Sequence, residues 1–163
     1  MIWLLAAVLI AADQLAKLWV ATNIPLGGPG FILGLGFHLT HTQNTGAAFG
    51  ILQSFALPLG IFSAVVAVAI LVYLKRHASN LPVWQAGALV LIFSGAVGNM
   101  IDRLRLGYVV DLIHFSVPGF DFPVFNIADA CVVIGAGLLI LAGFRKTPQA
   151  SRGQTELKGS SDS

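Results

Sequence analysis

The sequence predicts an all-α membrane protein: four transmembrane helices carrying a small extracytoplasmic β-like platform. Three observations carry this expectation. The 163 residues are 56% hydrophobic and 10% charged, with a mean hydropathy of +0.85, whereas soluble domains are about 25% charged. Four apolar stretches, at about 2–20, 57–74, 83–100 and 127–144, have lengths near the ~20 residues a bilayer-spanning helix needs. Helix-breaking and alternating residues gather between the first two stretches. The length suits one domain, 1–146, followed by a tail. The lone cysteine, Cys131, excludes an internal disulfide and any cysteine-based metal cluster, and reads as a small packing residue.

The first stretch, Ile2 to Val20, is apolar except for Asp13, Gln14 and Lys17. No positive charge precedes its apolar core, and the Ala-Ala before Asp13 is a weak cleavage signal, so it reads as a retained helix. From Thr22 to Phe37 repeated glycine and proline preclude a helix. Phe37 to Gln43 alternates briefly, so short strands or an extended platform on the membrane surface are expected. Asn44-Thr-Gly-Ala-Ala-Phe-Gly50 suits backbone that passes close to another element. Lys75-Arg76-His77 ends the second span, and Ser79 to Pro82 forms a turn. The third span carries Gly87, Ser94, Gly95, Ala96 and Gly98, small residues that permit close helix packing. Arg145-Lys146 stops the fourth. Residues 147–163 lack apolar periodicity and are expected to be a disordered cytoplasmic tail.

Lys75 and Arg76 share a side with Arg145, Lys146, Arg152 and Lys158 in a four-span topology. Basic-rich sides are cytoplasmic, so both termini are expected inside, with outer loops at 22–56 and 101–125. Arg103 and Arg105 fall on the outer side and require local partners. Asp13, Asp102, Asp111, Asp121 and Asp129 then lie in or near the outer half of the membrane layer. That concentration of acids at one depth points to a site.

Within that site, Asp111 and Asp129 are candidates for a catalytic pair. Two carboxylates close together in a low dielectric share a proton. The ionised member then activates a water, and the protonated one bonds the substrate carbonyl and protonates the leaving amine. The competing reading makes Asp129 a cap on the fourth helix and Asp111 a solvated loop residue, although Asn126 is the better placed cap. Asn99, Asp102 and Arg103 share a helix face. Either the helix ends there with a local Asp102–Arg103 interaction, or Asn99 and Arg103 hold a peptide's carbonyls. Asp13 and Lys17, four apart, are expected to dock the outer platform against the first span. His38, His41 and His114 match no strong zinc pattern, so no metal site is expected. The rings of Tyr108, Phe115, Phe120, Phe122 and Phe125 either anchor depth at the interface or shape a groove for an acyl chain.

Five ordered blocks carry a resemblance: Asp13-Gln-Leu-Ala-Lys17, Asn44-Thr-Gly-Ala-Ala-Phe49, Gly95-Ala-Val-Gly-Asn-Met-Ile-Asp-Arg103, Val109-Val-Asp-Leu-Ile113 and Phe125-Asn-Ile-Ala-Asp129. In these the sequence resembles the lipoprotein signal peptidase (signal peptidase II) family, the bacterial membrane aspartic proteases. The resemblance covers nearly the whole chain up to the tail, and implies that Asp111 and Asp129 are catalytic. It implies that Asn44, Asn99, Arg103 and Asn126 support or contact substrate, and that Asp13 and Lys17 are structural; Asp102, at the end of the third span, is expected to be structural as well. The implied substrate is a prolipoprotein whose cysteine already carries diacylglycerol, cut just before that cysteine. The implied setting is the bacterial inner membrane, with inhibition by cyclic lipopeptides. No cofactor and no nucleic-acid partner is expected. A small proton-coupled transporter using the same acids is the alternative, but the acids cluster at one depth and no inverted repeat is evident. A non-catalytic assembly subunit would leave the Asp111/Asp129 pair unexplained. The positive end of the fourth helix favours a charged Asp129, which points to Asp111 as the protonated partner.

Overall fold

In a computed structural model, which describes residues 2–28, 30–46 and 55–144, the elements run in the order α1 (Ile2–Asn23), β1 (Phe31–Gly34), β2 (Phe37–Asn44), α2 (Ala56–His77), α3 (Val83–Leu106), β3 (Val109–Val117), β4 (Phe120–Phe125) and α4 (Ile127–Phe144). A single 3-10 turn, Ala78–Asn80, joins α2 to α3. Three helices, α1, α2 and α3, are long and apolar enough to cross a membrane, and α4 is apolar but shorter. Large apolar side chains such as Leu4, Leu15, Phe62 and Val133 lie exposed along α1, α2 and α4. In water, that much unpartnered apolar surface would drive association; facing lipid, it costs nothing.

The central helix is α3, which packs against α1, α2 and α4. Small residues permit the approach. A Cβ on Gly95 would collide with the Ala128 carbonyl of α4, and one on Gly98 would stand 2.7 Å from Asp13 Oδ2 of α1. Gly87, by contrast, faces open space and takes no part in close packing, contrary to expectation.

The expected β-like platform is a four-stranded antiparallel sheet in the order β1-β2-β3-β4, so the chain is mostly helical with a small sheet. Half of the sheet comes from 101–125, expected as a loop. Helix α3 continues to Leu106, where Gly107, in the left-handed region at φ 78°, terminates it by returning its N–H to Arg103 O. The chain then forms the β3–β4 hairpin. Val109, Val110, Asp111 and Leu112 are all buried. A strand covered on both faces loses the apolar–polar alternation by which strands are recognised. Pro123 sits in edge strand β4, where its missing N–H is tolerated. Between β2 and β3, Thr42 faces Asp111 and His38 faces His114. Val20 and Ile24 of the first helix and its extension pack with Leu112 beneath the sheet.

The helices start and end close to expectation, with α1, α2 and α3 running three to six residues past their C-terminal limits at positions 20, 74 and 100. The segment 47–54, Arg145, Lys146 and the tail 147–163 lie outside the described residues.

Candidate active site

Two buried polar groups meet where α1, α3, the sheet and the start of α4 converge. The first is built around Lys17. Its Nζ lies 2.9 Å from Asp13 Oδ2 and 3.0 Å from Asp102 Oδ2, and donates to Asn99 Oδ1 at 3.0 Å. An ammonium has three donors, and all three are used. Gln14 Nε2 donates to Asp102 Oδ1 at 3.0 Å and contacts Gly98 O at 3.2 Å. The remaining carboxylate capacity ties down backbone: Ala128 N–H donates to Asp13 Oδ1 at 2.9 Å, and Val110 N–H to Asp102 Oδ2 at 3.1 Å. Asp13 and Lys17 therefore dock α1 onto α3 and α4. They do not join α1 directly to the platform as expected; that link runs through Asp102 to β3. Asp102 pairs with Lys17, not with its neighbour Arg103.

Asn126 builds the second group. It precedes the first turn of α4, where the initial backbone N–H groups lack helical partners. Its Oδ1 accepts the Asp129 N–H at 2.8 Å, and the Asp129 Oδ2 accepts the Asn126 N–H at 3.2 Å. This is a reciprocal capping box, so part of the capping role considered for Asp129 is real. The Asn126 amide goes further: Nδ2 donates to Asp111 Oδ1 at 2.7 Å and contacts Asn99 Oδ1 at 3.2 Å. One fully buried asparagine thus holds a carboxylate on β3 and another on α4.

The other expected residues converge here. Asn99 Nδ2 donates to Asp129 Oδ1 at 2.7 Å. Asn44 Nδ2 donates to Asp111 Oδ2 at 3.0 Å, while its Oδ1 accepts the Gly46 N–H and fixes the turn after β2. Asn44 and Asn99 hold the two carboxylates directly. Arg103 Nη2 donates to Gly46 O at 3.2 Å, and its buried Nε has no partner among the described residues. That contact is the local partner expected for Arg103. It also brings Gly46 backbone close to α3, as the small-residue block around it suggested.

Asp111 is buried, and burial is the largest cause of its carboxyl being pushed up to about 6; the neighbouring Asp129 adds to the shift, and the Asn44 and Asn126 hydrogen bonds oppose it. At neutral pH the protonated form of such a carboxyl is the minority species but far more accessible than for an ordinary aspartate. A groove of about 140 Å³ leads away between α2, α3 and α4, with Phe62, Val66, Ile92 and Val132 as apolar walls and Asn99 and Arg103 among its polar lining.

Other sequence candidates stand apart. His41 Nδ1 contacts Ile24 O at 2.9 Å, whereas His38 and His114 are cross-strand neighbours, so the three histidines do not share one centre. Asp121 belongs to β4 rather than to a loop. It pairs with His114 at 3.0 Å, and a hydrogen bond to Ser116 is the largest cause of its carboxyl being held below the usual range. Gln14 was not singled out as a site residue, although it lies inside the Asp13–Lys17 block and also donates to the adjacent Asp13 Oδ2 at 3.2 Å.

Two solved structures, described as bacterial membrane enzymes obtained by the in meso method, superpose with TM-scores of 0.81 and 0.78. Each is 34% identical in sequence; they cover 96% and 90% of this chain and 94% of their own. With its apolar helices, the chain is accordingly a multi-pass membrane protein of the membrane-enzyme class. Residues 5–145 match the family model described as signal peptidase (SPase) II. A lipoprotein signal peptidase of Streptococcus pyogenes is 43% identical over 134 residues, covering 82% of this chain and 86% of the relative. Another from that species is 42% identical over the same coverage. The chain belongs to the signal peptidase II family.

Proposed function

We propose that the protein is an aspartic endopeptidase that removes the signal peptide from diacylglyceryl-modified prolipoproteins, cutting just before the lipidated cysteine. Asp111 and Asp129 are its catalytic pair. The observation that carries this reading is Asn126, which is buried and binds both carboxylates at once. A structural cap needs only one of them.

In this mechanism Asp129, at the N-terminal end of α4, acts first as the base. It removes a proton from water as the water oxygen attacks the scissile carbonyl carbon. Protonated Asp111 hydrogen-bonds the carbonyl oxygen and stabilises the charge developing there. Collapse of the tetrahedral intermediate breaks the C–N bond, and the proton passes to the leaving amine of the cysteine. Asn99 and Asn44 hold the two carboxylates, and Arg103, whose buried Nε has no partner among the described residues, receives a substrate carbonyl. The groove between α2, α3 and α4 takes the apolar signal segment. No step calls for a cofactor.

The topology proposed has four spans, α4 being the fourth, with both termini in the cytoplasm and the site near the outer face of the bacterial inner membrane. Lys75 and Arg76 at the far end of α2 support that orientation. Cyclic lipopeptides that mimic a lipid-bearing substrate are the inhibitors this reading implies. A proton-coupled transporter gains no support, since the matches are to peptidases. The deciding experiment reconstitutes the protein with a diacylglyceryl-modified prolipoprotein and follows signal-peptide release. Asp111→Asn or Asp129→Asn should abolish it; substantial activity in either variant removes the pair from the mechanism.

A further inference from the structure

Among the described residues the most exposed leucine is Leu35, at the tip of the β1–β2 hairpin, 93% exposed; Ile32 nearby is 80% exposed, with Phe31 and Leu33 also outward. The hairpin belongs to a stretch, 24–37, with no charged residue. Nor is it a loose loop. Gly36 O accepts the Ser116 N–H at 2.9 Å, and Gly27 N–H donates to His41 O at 2.9 Å.

The backbone at the tip makes the leucine still less suited to water. Leu35 has φ 52°. L side chains are penalised in that region, and turns that need it ordinarily use glycine or asparagine. A leucine there bears backbone strain and, in water, also leaves its side chain hydrated. Only an apolar surrounding offsets both. No protein group among the described residues supplies it to Leu35, but Trp19, on the exposed face of α1 with Leu15 and Leu18, packs its ring 5.9 Å from that of Phe31 on the same hairpin. The exposed apolar surface of α1 thus meets that of the hairpin at Trp19 and Phe31, and a tryptophan at that junction suits the membrane–water interface.

We propose that the β1–β2 hairpin inserts into the bilayer, with Phe31, Ile32, Leu33 and Leu35 entering the acyl region of the leaflet beside the C-terminal end of α1. Its partner is lipid. Because β2 pairs with β3, where Thr42 faces Asp111, insertion also sets the depth at which the sheet holds Asp111. The inference requires only that α1 spans a membrane, and stands apart from the peptidase reading.

The test uses the full chain in phosphatidylcholine–phosphatidylglycerol vesicles. An environment-sensitive fluorophore is attached at Leu35→Cys, or separately at Ile32→Cys, in a Cys131→Ala background, with Asn80→Cys as the water-facing reference. The expected result is blue-shifted emission at both hairpin positions. Nitroxides on lipid acyl chains should quench those labels severalfold more than the label at position 80, and iodide should do the reverse. Leu35→Asn, which suits the backbone better, should raise iodide quenching at the position 32 label. Iodide access at positions 32 and 35 equal to that at position 80 overturns the proposal. So does shielding without nitroxide quenching but with energy transfer between labelled copies, which would put a second copy of the chain on the hairpin.

Discussion

The groups around Lys17 and around Asn126 are neighbours, share Asn99, and each contain two aspartates. They treat those aspartates in opposite ways. Asp13 and Asp102 face an ammonium within 3.0 Å and accept backbone N–H donors from other elements. Asp111 and Asp129 receive mainly the neutral amides of Asn44, Asn99 and Asn126. A cation at contact distance neutralises a buried carboxylate and makes it a fastener. Amides alone satisfy its geometry without supplying charge, so a proton remains the cheaper compensation for Asp111. Under the proposed mechanism, structural and reactive acids differ in whether the group in direct contact is a lysine or an asparagine.

The largest effects should separate the two groups most clearly. Asp111→Asn and Asp129→Asn should each lower the rate of signal-peptide release by about 10²–10⁴-fold, the range for losing acid–base catalysis. Unfolding in detergent should change little. Lys17→Met should do the opposite. It strands two buried carboxylates and should cost about 3–5 kcal/mol of stability, read as early loss of helicity in a thermal or denaturant series. If Lys17→Met unfolds like the native chain, the contrast between fastener and reactive pair is wrong.

Asn126→Ala touches both roles. Losing the cap should cost about 1 kcal/mol, whereas losing the grip on both carboxylates should lower kcat by about 10²-fold, since small misplacements at a reacting centre are expensive. A stability change without a kcat change would reduce Asn126 to a cap.

The smallest effect is with pH. Asp111 is raised from 3.8 to about 6, so between those values the folded state binds more protons than the unfolded chain. Stability should therefore fall as pH rises from about 4 through 6, in the opposite sense to a salt-bridged acid. The rate should decline on the alkaline side as the protonated form is lost, with apparent values belonging to the pair. Asp111→Asn should flatten the stability slope, and a slope unchanged by that substitution would assign it to another group.

Much of this arrangement was legible along the chain. The spans follow from runs of apolar residues, and the scarcity of charge made every aspartate conspicuous. The β3–β4 hairpin was not legible, because burial on both faces of Val109–Leu112 erased its alternation. Of the two readings the sequence leaves open at the end of α3, the local Asp102–Arg103 pair fails for a related reason. Arg103 is adjacent in sequence, but on a helix consecutive side chains point about 100° apart, while Lys17 comes from another helix through tertiary packing.

By itself the sequence determined that this chain is a membrane protein and which residues are its unusual polar groups, while the ordered blocks that resemble signal peptidase II singled out Asp111 and Asp129 among them. Composition and local spacing suffice for the first two, because bilayer insertion and helix periodicity act on neighbouring residues. Only the tertiary structure decided which acids receive a lysine and which receive asparagines. That choice is made between α1, α3, β3 and α4, as in the bond from Gln14 to Asp102 across 88 positions of chain. Hydrogen bonds between such distant groups depend on how the elements pack, and no local pattern records it.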